Sequence, residues 1–423
     1  MNVKIYPSEV LSFLNAPPSY DASHKAVVIA AMCRGVTKIE DIDLCDDVMI
    51  TLGAVKTLGA GVMFMGGGVL ISGIDMNREY SHEHIIIDVR DSYATLSLVL
   101  PLASFLFERV TFKVKNPRIF NLRAYEDIYR QRGYYFEITD DAVNVSGRLG
   151  GGEYKSVFPI TFPFFDGLML LAPHFRSRTD IYYLPEYSSA SHMMHTVDYM
   201  ELFRVRCLVS GDCVQVAGGG KYFTDGRIKP EKDYLKASQF MVFGMIRNGI
   251  FVTGFEGDKV VSPEVSILDI LGKCDGTVRE ENGGLTVSAT HIPPFTIDLT
   301  HYSELIPIIS VMAAFSEGYC VIKGCDSVKY AESDRISHLI YELRKSDVNI
   351  GIGENGELVI KGGKIYFGSN FDCHDDPVLA AALAIFAALC VTESEITGTE
   401  IINRWYPGFM EDMRDVGITV VNG

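Results

Sequence analysis

The sequence predicts an α/β fold built from internal repeats, and two observations carry that prediction. One pattern recurs: a short β-branched strand after a turn, a few polar residues, then an amphipathic helix. It appears at Gly35–Ala60, Arg109–Ile138, Gly249–Val278 and Gly318–Ile350. In addition, apolar stretches such as "PVLAAALAIFAALC" (Pro377–Cys390) carry almost no polar residue and predict helices buried on all sides. A repeat of the first kind cannot bury its own apolar face, so copies must pack around a shared core.

Along the chain, "PPSYDASHKAVVIAAMCRG" (Pro17–Gly35) reads as a loop feeding a helix N-terminus. Such an end favours anions, because unpaired N–H groups and the helix dipole both act there. A working anion site usually adds Lys or Arg, yet this loop offers Tyr20 and Asp21 before its first cation, Lys25. In the first repeat Val48, Leu52, Val55 and Leu58 recur at helical spacing after Asp46 and Asp47, which read as helix-start residues. "GRLGGGEYK" (Gly147–Lys155) and "VAGGGKYF" (Val216–Phe223) lack phosphate-loop or dinucleotide spacing and read as hairpin turns. The polar stretch Tyr222–Lys236 separates the repeats and predicts a crossing between two similar domains. "SELIPIISVMAAF" sets Glu304 at the start of an apolar helix, where a carboxylate suits the dipole. Glu332 and Arg335 read locally as an i, i+3 helix pair. His24, His192 and His195 stand alone in the sequence and read as structural or exposed side chains.

Composition narrows the function. A chain of 423 residues suits two or three domains, and 48% hydrophobic with 22% charged residues suits a packed soluble protein. The formal net charge of −16 argues against nucleic acid, whose binding rests on Lys and Arg neutralising phosphates. No apolar run reaches the roughly 18 residues of a membrane span, and "MNVKIYPSEV" has no apolar signal region. Nine cysteines without a C-x-x-C pair predict reduced thiols in the cytoplasm and no metal site. Cys33, Cys320 and Cys390 lie in apolar runs and are expected in the core.

The segment Ile297–Lys345, which holds "HYSELIPIISVMAAFSEGYCVIKG" and then "AESDR", resembles a stretch of the 5-enolpyruvylshikimate-3-phosphate (EPSP) synthases. That family carries there a Pro-Asp pair, a helix, a Gly-Thr-Thr strand and Arg-x-Lys-Glu-Ser-Asp-Arg. "PSEVLSFLNAPPSYDASHKA", "CDDVMITLGAVKTLGA", "DSYATLSLVLPLA", "FDGLMLLAP", "DDPVLAAALAIFAAL" and "NRWYPGFMEDM" agree in order and spacing, so the resemblance spans essentially the whole chain. It implies the two-domain enolpyruvyltransferase fold, each domain holding three βαβαββ units with helix N-termini at an interdomain cleft. The domains expected are 15–228 and 1–14 with 229–423, the chain crossing twice. The reaction implied moves the enolpyruvyl group of phosphoenolpyruvate to the 5-hydroxyl of shikimate 3-phosphate, on the route to aromatic amino acids. It needs no metal or organic cofactor, and the expected protein is a cytoplasmic monomer handling small anionic substrates.

Two polyanions must be held while an enol carbon is protonated and a hydroxyl deprotonated, which calls for cations and a positioned acid and base. By the resemblance, Lys25 stands where the family has Arg. Arg335 ends the Glu-Ser-Asp-Arg motif that grips phosphoenolpyruvate. Arg404 stands where the family has Lys or Arg. Glu304 replaces the Asp that takes the hydroxyl proton, and Glu332 matches the Glu of enol protonation. Arg118 lies in "NPRIF", where the family's Arg-Pro order is inverted.

Other positions depart. Tyr20 stands for a loop Lys, and Asp21 for the Ser that binds the shikimate phosphate. Tyr93 replaces a Gly where backbone approaches phosphoenolpyruvate, and Ser97 replaces an Arg. Thr161, Phe162 and Pro163 replace the Ser-Ser-Gln that binds the acceptor's phosphate. Ala331 replaces a Lys, and Pro377 with Val378 replaces His-Arg. Losing cations at 20, 97, 331 and 378, at roughly 1.5–3 kcal/mol for each charge-assisted hydrogen bond, implies weak or absent turnover of the usual pair. Three functions fit these residues: a divergent working synthase, a carboxyvinyltransferase with a different and less anionic acceptor, or a non-catalytic paralogue binding a ligand or partner.

Overall fold

The computed structural model describes residues 1–8, 13–77, 80–158, 162–183, 190–247, 249–255, 263–325 and 334–422. Thr161, Ala331 and Glu332 lie outside the described residues. The chain forms two compact units: a central unit, Pro18–Glu231, and a terminal unit that joins Met1–Pro17 to Lys232–Gly423.

Among the described residues each unit holds three four-stranded sheets that share one pattern of pairing, a parallel pair followed by two antiparallel pairs. In the central unit, strands Tyr80–Arg90 and Phe107–Val114 run parallel, with Ile86 opposite Thr111. Ala142–Ser146 then pairs antiparallel with Phe107–Val114, and Tyr135–Ile138 antiparallel with Ala142–Ser146. A parallel pair needs a crossover and an antiparallel pair needs only a short turn, so a sheet made from one stretch of chain reads as βαβαββ; three of the sheets instead draw one strand from far along the chain, Asn2–Ile5, Phe13–Asn15 or Arg227–Ile228. Thr296–Asp298, Tyr319–Lys323, Leu358–Lys361 and Asn349–Ile352 repeat the arrangement in the terminal unit.

The helices of the central unit are α1 (Tyr20–Met32), α2 (Asp46–Thr57), α3 (Tyr93–Leu106), α4 (Arg123–Gln131), α5 (Phe162–Leu171) and α6 (Ala190–Leu202). Those of the terminal unit are α7 (Tyr234–Ile246), α8 (Ser266–Lys273), α9 (Ile306–Ala314), α10 (Arg335–Arg344), α11 (Pro377–Leu389) and α12 (Phe409–Asp415). They fall into the two kinds that the sequence predicts. α1, α3, α7, α9 and α11 are buried nearly all round, whereas α4, α8 and α10 bury one stripe. The expected polar-free helix is α11, buried from Val378 to Leu389.

All four repeats found in the sequence form as strand and helix: Val36–Glu40 with α2, Phe107–Val114 with α4, Ile250–Thr253 with α8, and Tyr319–Lys323 with α10. The two Gly-rich stretches are not hairpin turns. Gly147–Lys155 leaves one sheet at Ser146 and enters another at Gly152. Val216–Phe223 likewise follows the last strand of one sheet, and the next strand, Arg227–Ile228, belongs to another. Their glycines serve close passage between sheets; a Cβ at Gly218 would lie 2.4 Å from the Ser177 carbonyl oxygen. Among the described residues no helix is long and apolar enough to cross a membrane.

Candidate functional site

The loop before α1 folds as a capped helix start. Ser19 is the N-cap, its hydroxyl accepting the Ala22 N–H at 3.2 Å, which satisfies one of the first-turn donors. Tyr20 and Asp21 therefore open the helix, and Lys25 falls one turn on. The Tyr20 hydroxyl donates to Asp47 Oδ2 at 2.8 Å, and its ring packs edge-on against His24. Asp47 sits in the first turn of α2, as expected of a helix-start residue.

Lys25 lies in a nest of charge. Its ammonium is 2.6 Å from Asp21 Oδ2, 3.4 Å from Asp166 Oδ2 and 3.1 Å from His195 Nδ1, and the side chain is 1% exposed. His195 Nε2 meets Glu231 Oε1 at 2.6 Å, and Nδ1 lies 3.2 Å from Asp21 Oδ2. Tyr199 donates its hydroxyl to Glu231 Oε2, and Thr196 donates to Asp166 Oδ1 at 2.6 Å. α1, α5, α6 and the chain just before α7 thus converge on one buried cluster in the central unit. α5 comes close enough because Gly167 has no side chain: a Cβ there would be 2.8 Å from the Leu98 carbonyl oxygen of α3.

The charges explain one another. Burial alone would push the Asp21 carboxyl up, but Lys25 and His195 outweigh it and hold it well below the usual carboxylate range. Burial would also lower the Lys25 ammonium, yet Asp166 and Asp21 keep it above the ordinary lysine range. Burial raises Asp166, and the Lys25 charge offsets that only in part. For His195, burial and Lys25 oppose protonation, while hydrogen bonds to Asp21 and Glu231 raise it to about 9. The imidazolium then donates to both carboxylates; when neutral, its Nδ1 becomes an acceptor for Lys25.

A second group lies at the start of α3. The Tyr125 hydroxyl donates to the Tyr93 hydroxyl at 3.0 Å and lies 2.6 Å from Ser97 Oγ. The Tyr93 ring tilts against Phe120 at 5.0 Å, and Tyr125 stacks on Phe164 at 3.9 Å. Tyr93 is 8% exposed and Ser97 fully buried, so both serve a closed aromatic and hydroxyl layer. Phe162 and Pro163 open α5, the helix that supplies Phe164 and Asp166. Arg118 joins neither group: in the turn Pro117–Ile119 it is 70% exposed and pairs with Asp140 at 2.8 Å.

In the terminal unit, Arg335 opens α10 and donates from Nε to Asp376 Oδ2 at 2.6 Å. Asp376 Oδ1 caps α11, accepting the Val378 and Leu379 N–H groups at 3.0 Å each, with Pro377 at the first helical position. Glu304 lies half-buried in the turn Ser303–Leu305 that leads into α9, and Ser303 Oγ donates to it at 3.2 Å. Arg404 ends the turn Thr399–Arg404 and is half-buried.

Asp166, Glu231, Tyr199 and Thr196 are not among the residues that the sequence marks for the site, and His195, solitary in the sequence, is not isolated in the fold. The one sequence signal was a carboxylate, Asp166, inside an otherwise apolar helix, a position that burial allows only with a partner.

Comparison with known proteins agrees with this architecture. The model of the family EPSP synthase (3-phosphoshikimate 1-carboxyvinyltransferase) matches residues 6–116 and 128–413. The 3-phosphoshikimate 1-carboxyvinyltransferase of Clostridium perfringens is 26% identical, the match covering 98% of each chain. That of Clostridium kluyveri is 26% identical over 98% of this chain and 97% of its own. Among solved structures, an EPSP synthase from Acinetobacter baumannii superposes with a TM-score of 0.80 at 20% identity over 100% of both chains. The enolpyruvyl transferase NikO from Streptomyces tendae gives 0.77 at 15% identity, covering 99% of this chain and 98% of its own. The fold is that of the enolpyruvyltransferases, and the chain belongs to the EPSP synthase (3-phosphoshikimate 1-carboxyvinyltransferase) family.

Proposed function

We propose that this protein transfers the enolpyruvyl group of phosphoenolpyruvate to a hydroxyl acceptor, as its family does, and that shikimate 3-phosphate is a poor acceptor. Membership of the family across nearly the whole chain supports the first half. One observation carries the second: Lys25 is 1% exposed and enclosed by Asp21, Asp166 and His195 within 3.4 Å. A cation so neutralised offers no face to an outside phosphate, and Lys lacks the planar fork that grips one bidentately.

In this reading Glu304 takes the acceptor's hydroxyl proton as the new C–O bond forms. Glu332 delivers a proton to the enol carbon, and phosphate leaves as that proton is lost again. Arg335 holds the phosphoenolpyruvate side, with Arg404 and Arg118 as the further cations of the family pattern. The protein works as a cytoplasmic monomer on small molecules, without metal or organic cofactor and without nucleic acid. All nine cysteines are free thiols, which supports a reducing compartment.

Phosphate release from phosphoenolpyruvate, measured at high enzyme concentration, tests the reading. With shikimate 3-phosphate, turnover is expected below about 1 per second, the low end of the ordinary enzyme range. A rate well inside that range would overturn the assignment of a poor acceptor. Release with an uncharged hydroxyl acceptor, and none without any acceptor, would support transfer.

A further inference from the structure

In the terminal unit, α10 is laced to the segment before α11 by a ladder of contacts that the reaction scheme above does not use. Arg335, His338, Glu342 and Lys345 recur at helical spacing, so they share one face of α10 as far as its C-cap. Every second residue of the stretch 370–376 meets that face, running the opposite way. Lys345 donates to the Asn370 carbonyl at 3.0 Å, and Glu342 Oε2 accepts the Asp372 N–H at 3.0 Å. His374 Nε2 lies 2.8 Å from Glu342 Oε1, and its ring stacks on that of His338, centroids 4.0 Å apart and planes within 7°. Arg335 Nε meets Asp376 Oδ2 at 2.6 Å, closing the ladder.

The middle rungs fix a bend. Glu342 is fully buried, and Lys345 also reaches its two oxygens, at 2.8 and 2.7 Å. His374 and Asp375 have φ of +49° and +54°, a left-handed region that residues other than glycine rarely enter. Such a backbone persists only where its surroundings hold it; here the stacked ring and the Glu342 contact do so. Among the described residues His338 Nδ1 is buried without a hydrogen-bond partner, and what that side chain gives His374 is its flat face. Directly after the bend, Asp376 caps α11 and takes the Arg335 guanidinium, so the bend decides where Arg335 is held.

We infer that His374, held by His338 and Glu342, is a positioning residue that sets the Arg335 guanidinium, by way of Asp376, for the anionic groups of phosphoenolpyruvate. The inference rests on the reading in which Arg335 holds that substrate. A guanidinium grips an oxyanion through two parallel N–H bonds, so a small shift of the carboxylate that orients it misaligns both.

His374→Asn tests this, because Asn tolerates the left-handed backbone and removes the ring. Two measurements are made on the whole protein: the Nε–H resonance of Arg335 by NMR, assigned by its loss in Arg335→Lys, and phosphoenolpyruvate binding by calorimetry. The variant should shift or broaden the Arg335 signal and weaken binding about tenfold, within the range for coupled neighbours. His338→Ala removes the stacked face, keeps the Glu342 contact and should do the same to a smaller degree. A merely structural role would lower the unfolding midpoint and leave both measurements on the folded protein unchanged. A folded His374→Asn protein with an unaltered Arg335 signal overturns the inference. An altered signal with unaltered phosphoenolpyruvate binding, or a wild type that binds none, instead sinks the assignment of Arg335 to that substrate and leaves its positioning by His374 standing. If His374→Asn does not fold, His338→Ala decides by the same two measurements.

Discussion

Two cation–carboxylate contacts, one in each unit, open a helix and differ in what the carboxylate does besides pairing. Asp376 in the terminal unit gives one oxygen to two backbone N–H groups of α11 and the other to Arg335. That pair is a helix cap with a guanidinium attached. In the central unit no single carboxylate answers Lys25: Asp21, Asp166 and, through His195, Glu231 form one chain of charge. Asp376 joins a helix cap to a guanidinium, whereas Lys25 is held by several buried groups of one network.

The comparison can be broken most directly at Lys25. Lys25→Met strands Asp21 and Asp166, and breaking a buried pair in this way costs about 3–5 kcal/mol. Chemical denaturation should show a loss of that size; less than about 1 kcal/mol would mean the network is incidental to stability.

A smaller effect is expected from pH. His195 titrates at about 9 in the fold, above its ordinary value of 6.5. Its proton therefore adds stability that is fully present below about pH 6.5 and lost as pH rises through about 9. The difference corresponds to about 3 kcal/mol between those limits. His195→Gln should flatten that part of the stability curve. A wild-type curve already flat between pH 6.5 and 9.5 would contradict the doubly bonded imidazolium.

The smallest effect should come from the terminal unit. Asp376→Ala removes a cap and one partner of Arg335, a loss of about 2 kcal/mol. If it matched or exceeded the Lys25→Met loss, the two contacts would be energetically equivalent.

Much of this fold could be read in the sequence, because its signals are local. The polar-free run of α11 and the helical spacing of Val48, Leu52 and Val55 each lie within one element. Two repeats escaped notice. One sheet takes its strands from Asn2–Ile5, Asn370–Asp372, Ser394–Thr397 and Val420–Asn422, so no single stretch of chain carries the pattern. The site was half legible for the same reason. Lys25, Asp21 and Tyr20 share one helix turn and were found together. His195, Asp166 and Glu231 come from other elements, His195 being 174 residues from the Asp21 it contacts. Pairing across such distances has no period in sequence. The Gly-rich stretches misled because glycine marks close backbone passage as readily as a tight turn.

The place of the first strand bears on the order of events at the ribosome. Asn2–Ile5 lies inside its sheet, with Val3 opposite Ile396 on one side and Asn422 on the other. Asn2–Ile5 must therefore wait, without its neighbours, until Ser394–Thr397 and Val420–Asn422 have emerged. At synthesis rates of about 5–20 residues per second, that delay is on the order of half a minute. The central unit is one uninterrupted stretch of chain, and its own longest wait, Val36–Glu40 for Arg227–Ile228, ends about halfway along the sequence. Translation would thus deliver a finished central unit, with its charged nest already closed, tethered to the strand Asn2–Ile5 still searching for both of its neighbours.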